Sequence, residues 1–478
     1  MSEKTGAPGR WRDILTGRLA VYTVLLTLGV GMFAVEQFVV STIMPTIVGD
    51  LGGVRYYSWT VALYAVGAIV GSAASGAGRD AFGDRACFVG AAAILTGGMV
   101  GAGLANDMLV LIGWRLLQGI AGGALSSQSY GLIAAVYPPH LRGRALGVIS
   151  TTWGVATLLG PSFGGIFAEI GWWRGAFFGL VPFGLAAMAL AWRYVPSSTG
   201  HGRISQMPYL RLLLLAGSIF AVSVTSRVDA PIERGLLLGG AFICLIIAFR
   251  QDARAERPMF PRQVAVIRTE IGAAYWILLI FSVVVAAVNV YSALFLQRLH
   301  GLSPAVAGYL YAIPSFIWTA GSIVVAPLHG LRQTIAIVTG LVMIAIGVAG
   351  VALTVTTGPV WLITLFMAIL GLGVGAMNNP TIQRAIEAAP MNEKHIAGTS
   401  AQSMRTLGVS FGAASSGLIA AAAGLTSDDV PASVLGHAMH WVYGVALGFA
   451  VLNVIMAVPM LIGRKKRLDA LAMTTAQT

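Results

Sequence analysis

Glu36, Arg115 and Arg405 are ionisable side chains set inside stretches of Val, Leu, Ile, Ala, Gly and Phe. A charge near the centre of a bilayer costs several kcal/mol, so such a residue usually faces a cavity or a partner and marks a pathway. Glu36 lies about 16 residues into its apolar stretch, roughly 24 Å along a helix, and no other carboxylate is comparably deep. Burial disfavours the charged form of a carboxylate and a nearby cation favours it. A glutamate that alternates between those surroundings can therefore take up and release a proton near neutral pH. Proton carriage is the chemistry expected of Glu36; the rival reading is a permanently hydrogen-bonded glutamate that ties helices together.

Arg115 and Gln118 stand three residues apart and share one helix face beside the small residues Gly113 and Gly119. A charged face packed that closely must look inward. Arg115 can pair with Glu36 or bias its protonation, although helix depths leave the two several ångströms apart along the membrane normal. An arginine bound to backbone carbonyls for packing alone is the alternative. Arg405 is nearer a span end, where snorkelling to the interface competes with an inward polar role.

The elements that carry these residues follow from composition. Of 478 residues, 57% are hydrophobic and 10% charged, against roughly 25% charged in soluble domains. Apolar runs of about 18 or more residues recur along the chain, each long enough to cross a hydrocarbon core. Hydropathy predicts an all-α polytopic membrane protein with fourteen spans between residues 20 and 462. The seventh (209–228) and eighth (233–250) are the shortest, and twelve spans remain if they do not cross. Six spans precede the polar segment and six follow, predicting a six-helix bundle over 1–194, a linker with two extra helices over 195–268, and a second six-helix bundle with a tail over 269–478. Gly408, Gly412 and Gly417 echo Gly160, Gly164 and Gly165 at the corresponding place in each half.

Of the 30 Lys and Arg, 23 fall on the N-terminal side of the expected spans and 5 on the other, which predicts cytoplasmic termini. The same bias explains the net charge of +12 without nucleic acid. The first 19 residues are polar, and the run after them is too long for a signal-peptide core, so the first span is expected to be retained. The two cysteines and scattered histidines predict neither a disulfide framework nor a metal site. The four lysines have no glycine-rich phosphate-loop context, so the expected energy source is a proton gradient, with no cofactor.

Four motifs in order carry a family resemblance over most of the chain. Glu36 to Pro45, with Thr42, Ile43 and Ile47, is similar to an acidic first-helix motif that more often begins with Asp. Gly76, Asp80, Gly83 and Arg85 follow the second span, with Asp84 where a basic residue is usual. Arg115, Gln118 and Gly119 form a third motif. Gly154, Gly160, Pro161, Gly164 and Gly165 form the fourth, followed by Trp173, Arg174, Phe177 and Pro182. Together these resemble the fourteen-helix drug:proton antiporter branch of the major facilitator superfamily.

The resemblance implies proton coupling at Glu36 and Arg115, supported by a polar face with Gln118 and Arg405. It implies conformational gating at Gly76, Asp80, Gly83, Arg85, Gly160, Pro161, Gly164 and Gly165. It places Tyr64, Asn289, Tyr291, Trp318, Asn378 and Asn379 in spans around a substrate cavity, and implies efflux of small amphipathic, drug-like compounds. The expected setting is the plasma (inner) membrane. The expected partners are lipid, protons and a small-molecule substrate, and the chain is expected to be monomeric. An importer or facilitator on the same fold is the competing reading. An intramembrane enzyme would want paired acids near the outer surface, whereas Asp50, Asp107, Asp428 and Asp429 are scattered among loops.

Overall fold

The computed structural model describes residues 11–197, 208–228, 230–255, 258–325, 328–391 and 393–475. Its long helical segments are α1 (Gly17–Leu51), α2 (Tyr57–Phe82), α3 (Asp84–Gly103), α4 (Met108–Val136), α5 (Pro139–Glu169), α6 (Trp173–Tyr194), α7 (Tyr209–Thr225), α8 (Pro231–Arg254), α9 (Glu270–Arg298), α10 (Pro304–Val325), α11 (Gly330–Thr354), α12 (Val360–Ala388), α13 (Lys394–Ala422) and α14 (Ala432–Thr475). The α6 segment is two helices, Trp173–Phe178 and Val181–Tyr194, and no strand occurs among the described residues. Each of the fourteen expected spans meets one segment. Helices are the natural solution here, because an open strand edge in hydrocarbon would leave backbone groups without partners.

Among the described residues, eleven segments are both long and apolar enough to cross a membrane. The α7 helix, with 17 residues, is just under the usual crossing length of about 20. Helices α5 and α13 have 31 and 29 residues, but their apolar character is diluted by Gly, Ser and Thr. Those small residues serve close packing instead.

Local chemistry sets the helix ends. Asp107 accepts a hydrogen bond from the Val110 N–H at the start of α4, and the Thr269 hydroxyl accepts one from Gly272 at the start of α9. Between α2 and α3 the chain turns at Gly83, whose φ of 85° suits glycine and whose N–H donates to the Arg79 carbonyl. Asp84 then opens α3, where a carboxylate faces the positive end of the helix dipole.

The chain divides into two compact units. The first comprises Met1–Gly52, Val66–Pro208 and Ser303–Tyr309, and the second Gly53–Ala65, Tyr209–Leu302 and Leu310–Thr478. The extra helices α7 and α8 therefore belong with the second unit. Asp252 of α8 pairs with Arg211 of α7 and accepts the N–H groups of Met259 and Phe260, which fixes the chain on its way to α9.

Both units use the same helix contact. In the first, Gly160 of α5 backs onto Phe38 of α1, and a Cβ at Gly164 would lie 3.0 Å from the Val39 carbonyl oxygen. In the second, Gly408 of α13 backs onto the Leu279 carbonyl of α9, and a Cβ at Gly412 would lie 2.5 Å from the Val283 carbonyl oxygen. Each helix carries a further glycine against the opening turns of a neighbour: Gly165 against Ala305 of α10, and Gly417 against Ser58 of α2. The echo between the two glycine triplets is thus a repeated mode of packing.

Candidate functional site

In the first unit, Arg115 Nη1 donates to Glu36 Oε1 at 2.6 Å and to Gln118 Oε1 at 3.0 Å. The arginine side chain is 3% exposed and the glutamate 0%. The length of the arginine side chain closes the depth gap that helix positions alone predict. Gln118 is fully buried, and its Cγ would lie 2.7 Å from a Cβ at Gly98, so only glycine at that point of α3 leaves it room. Close approach of α2 to α4 adds to the enclosure: Gly67 packs on the Leu116 carbonyl and Gly71 on that of Ile120.

This arrangement has a definite electrostatic consequence. Taking two charges out of water costs several kcal/mol per ion, and their attraction repays it only while both remain charged. A proton on Glu36 would cancel that attraction and leave a buried guanidinium without the charge opposite it.

The expected gating residues lie at both ends of the first unit. Gly76 is half-buried and Asp80 is exposed near the end of α2. Arg85 Nε donates to the Val195 carbonyl at 2.8 Å, joining α3 to the end of α6. Pro161 sits inside α5 with Gly160, Gly164 and Gly165 around it, and its ring packs where a Cβ at Gly308 would fall, 2.9 Å away. At the start of α6, Trp173 Nε1 and Arg174 Nη1 both donate to Asp50 Oδ2, at 3.0 and 2.7 Å, tying the ends of α1 and α6 together.

The second unit disperses the six expected substrate residues. Tyr64 is buried, and Tyr291 is buried and stacked on Tyr57 with ring centroids 5.2 Å apart. Asn289 is half-buried. Asn378 is buried and donates to the exposed Asn379 at 3.0 Å. Trp318 meets Arg405, whose guanidinium carbon lies 5.0 Å from the indole centroid and 5.7 Å from that of Phe281. Arg405 also donates to Gln402 Oε1 at 3.1 Å.

Sequence reasoning missed a second buried charge pair. Arg384 of α12 lies 3.6 Å from Glu270 of α9, with relative exposures of 1% and 5%. Its Nη2 donates to Gln333 Oε1 at 2.8 Å and Thr334 Oγ1 at 2.9 Å at the start of α11. Both charges fall just outside the apolar runs and read as loop residues. Arg384 following Gln383 on the extended helix face was the available signal, and Phe281 carried none beyond its hydrophobicity.

Comparison with known proteins supplies independent findings. The Major Facilitator Superfamily profile matches residues 26–413. A probable multidrug-efflux transporter of Mycobacterium tuberculosis is 30% identical over 440 residues, covering 88% of this chain and 91% of that protein. The tetracenomycin C resistance and export protein of Streptomyces glaucescens is 26% identical, covering 85% of this chain and 77% of that protein. Among solved structures, a D-xylose-proton symporter superposes with a TM-score of 0.65 at 19% identity, covering 93% of this chain and 97% of that one, a likeness of fold.

Proposed function

The chain belongs to the Major Facilitator Superfamily, and we propose that it is a proton-coupled exporter of small amphipathic compounds, working by alternating access. The observation that carries this reading is the buried 2.6 Å contact between Arg115 and Glu36. A carboxylate enclosed with one cation is a two-state element: charged, it holds Arg115, and protonated, it releases it. A relative named as a probable multidrug-efflux transporter and another named for tetracenomycin C export support export as the direction.

Proton entry at Glu36 weakens the tie between α1 and α4, and proton loss restores it. The glycine contacts of α5 on α1 let these helices slide without losing close packing. Moving one charge through 100 mV is worth about 2.3 kcal/mol, close to a fiftyfold concentration ratio, so one proton per cycle suffices for uphill export. The reading includes a plasma-membrane location with both termini cytoplasmic, a monomer, no nucleic-acid partner, no catalytic chemistry and no cofactor beyond the proton gradient.

The test uses the full chain in proteoliposomes under an imposed pH gradient. Wild type accumulates a dye such as ethidium against its gradient while protons run the other way. Glu36→Gln retains downhill exchange and loses uphill accumulation. Uphill transport at wild-type rates in Glu36→Gln, or substrate moving in the same direction as protons, would overturn the proposal.

A further inference from the structure

The opening turns of α2 belong to the second unit and the rest of the helix to the first, with the change falling between Ala65 and Val66. Several groups of the second unit hold the start of this helix. Asp428, in the loop after α13, accepts the N–H groups of Gly53 and Val54 at 2.9 and 2.7 Å, and Arg298 at the end of α9 donates to the Asp428 carbonyl at 2.9 Å. Tyr57 stacks on Tyr291, and Ser58 packs on Gly417.

The end of α7 supplies the remaining contacts. Trp59 Nε1 donates to Ser226 Oγ at 3.3 Å, and the Trp59 ring meets Phe220 edge-on with centroids 5.9 Å apart. The Arg227 guanidinium carbon lies 4.3 Å from the ring centroid of Tyr56, which in turn meets Trp59 at 5.4 Å. Helix α8 braces α7 at both ends. Arg234 Nε donates to the Val228 carbonyl at 2.6 Å, and the Arg211–Asp252 pair joins the two helices far from that turn.

Alternating access moves the units against each other, and a helix that belongs to both cannot follow both. It must kink, or one set of contacts must let go. The junction, residues 60–66, holds no proline, glycine or serine at which a sharp kink would form. Beyond it, Gly67 and Gly71 seat α2 directly on the α4 backbone. The contacts of Tyr56 and Trp59 are made by side chains, and Phe220 and Arg227 are exposed, so this is the set that can let go. We propose that the α7–α8 pair is a clasp: Phe220, Ser226 and Arg227 hold the opening turns of α2 in the second unit, and their release is the step that opens this end of the exporter. This deepens the alternating-access reading above and rests on it for the motion.

A reporter thiol under the clasp tests this: Ser58→Cys in the full chain carrying Cys87→Ser and Cys244→Ser, at a position where the serine is buried. Its rate of reaction with a hydrophilic maleimide, in detergent and without a gradient, reads how often the turns are released. Phe220→Ala and Arg227→Ala each delete one weak aromatic contact and should speed labelling about threefold, and about tenfold together. Ser282→Cys, buried within α9, replaces Ser58→Cys as a control and should label at one rate in all these backgrounds. A second arm locks the clasp. Trp59→Cys with Ser226→Cys, bridged by a bifunctional methanethiosulfonate in proteoliposomes, should lose transport and regain it when the bridge is reduced.

The proposal falls if neither substitution speeds labelling of Ser58→Cys, if labelling of Ser282→Cys is speeded as much, or if the bridged protein transports as fast as the reduced one. Failure of the exporter reading appears instead in gradient-driven transport by Glu36→Gln, because labelling is read without a gradient and the bridge blocks movement in either direction.

Discussion

Each unit sets an arginine and a glutamine three residues apart on one helix, Arg115 with Gln118 on α4 and Gln402 with Arg405 on α13. Their surroundings differ. In the first unit the guanidinium is 3% exposed and meets a carboxylate at 2.6 Å. In the second it is half-buried, lies against two aromatic rings, and has an exposed amide for its neighbour. An enclosed arginine paired with an acid responds to protons, because the pair changes charge when the acid does. One side-chain pattern is therefore enclosed with an acid in one unit and set against aromatic rings in the other.

The largest effect that could break this comparison concerns the enclosed pair. Arg115→Met leaves Glu36 buried without its cation and should destabilise the protein by about 3–5 kcal/mol, read by SDS-induced unfolding in mixed micelles. The double variant Glu36→Gln with Arg115→Met removes both charges and should recover most of that loss while remaining inactive in uphill transport. A double variant no more stable than Arg115→Met would mean that the charges do not account for the cost. The next effect belongs to the pair that sequence reasoning missed. Arg384→Met removes the cation beside Glu270 and the donor that Gln333 and Thr334 share, and should cost about 2–3 kcal/mol, less than Arg115→Met because water is nearer at the helix ends.

A third prediction sharpens what the units have in common. Gly160→Val and Gly408→Val each push a side chain into a neighbouring helix, and overpacking of that kind costs about 1–3 kcal/mol. Equivalent packing requires the two losses to agree within about 1 kcal/mol in the same unfolding assay. A loss confined to Gly160→Val would show that α13 can yield where α5 cannot.

The fourteen segments, the deep charges of Glu36 and Arg115, though not their contact, and the glycine repeat were legible in the sequence for separate physical reasons. Membrane spans announce themselves because hydrocarbon tolerates so little polarity, and a deep charge stands out against that background. Glycines at spacings of four mark close helix approach. The Arg384–Glu270 pair was hidden because helices α9 and α12 extend past their apolar runs, so hydropathy ends where the helix does not. The division of α2 and α10 between units was likewise invisible, since contacts between distant segments leave no local periodicity. The aromatic seat of Arg405 depends on side chains from three helices, and each of them alone reads as ordinary apolar filling.

The smallest predicted effect belongs to Arg405. Arg405→Met keeps an unbranched side chain against Trp318 and Phe281 and gives up one hydrogen bond to Gln402 together with the cation–π attraction. Such contacts at a half-exposed site are worth about 0.5–1 kcal/mol, so unfolding should shift by no more than about 1 kcal/mol. That is several-fold below the loss expected for Arg115→Met, although both substitutions delete the same guanidinium from the middle of a span. The ratio between the two is the informative quantity. A loss at Arg405 as large as that at Arg115 would make it a structural tie like its counterpart, and its open face would no longer distinguish the second unit from the first.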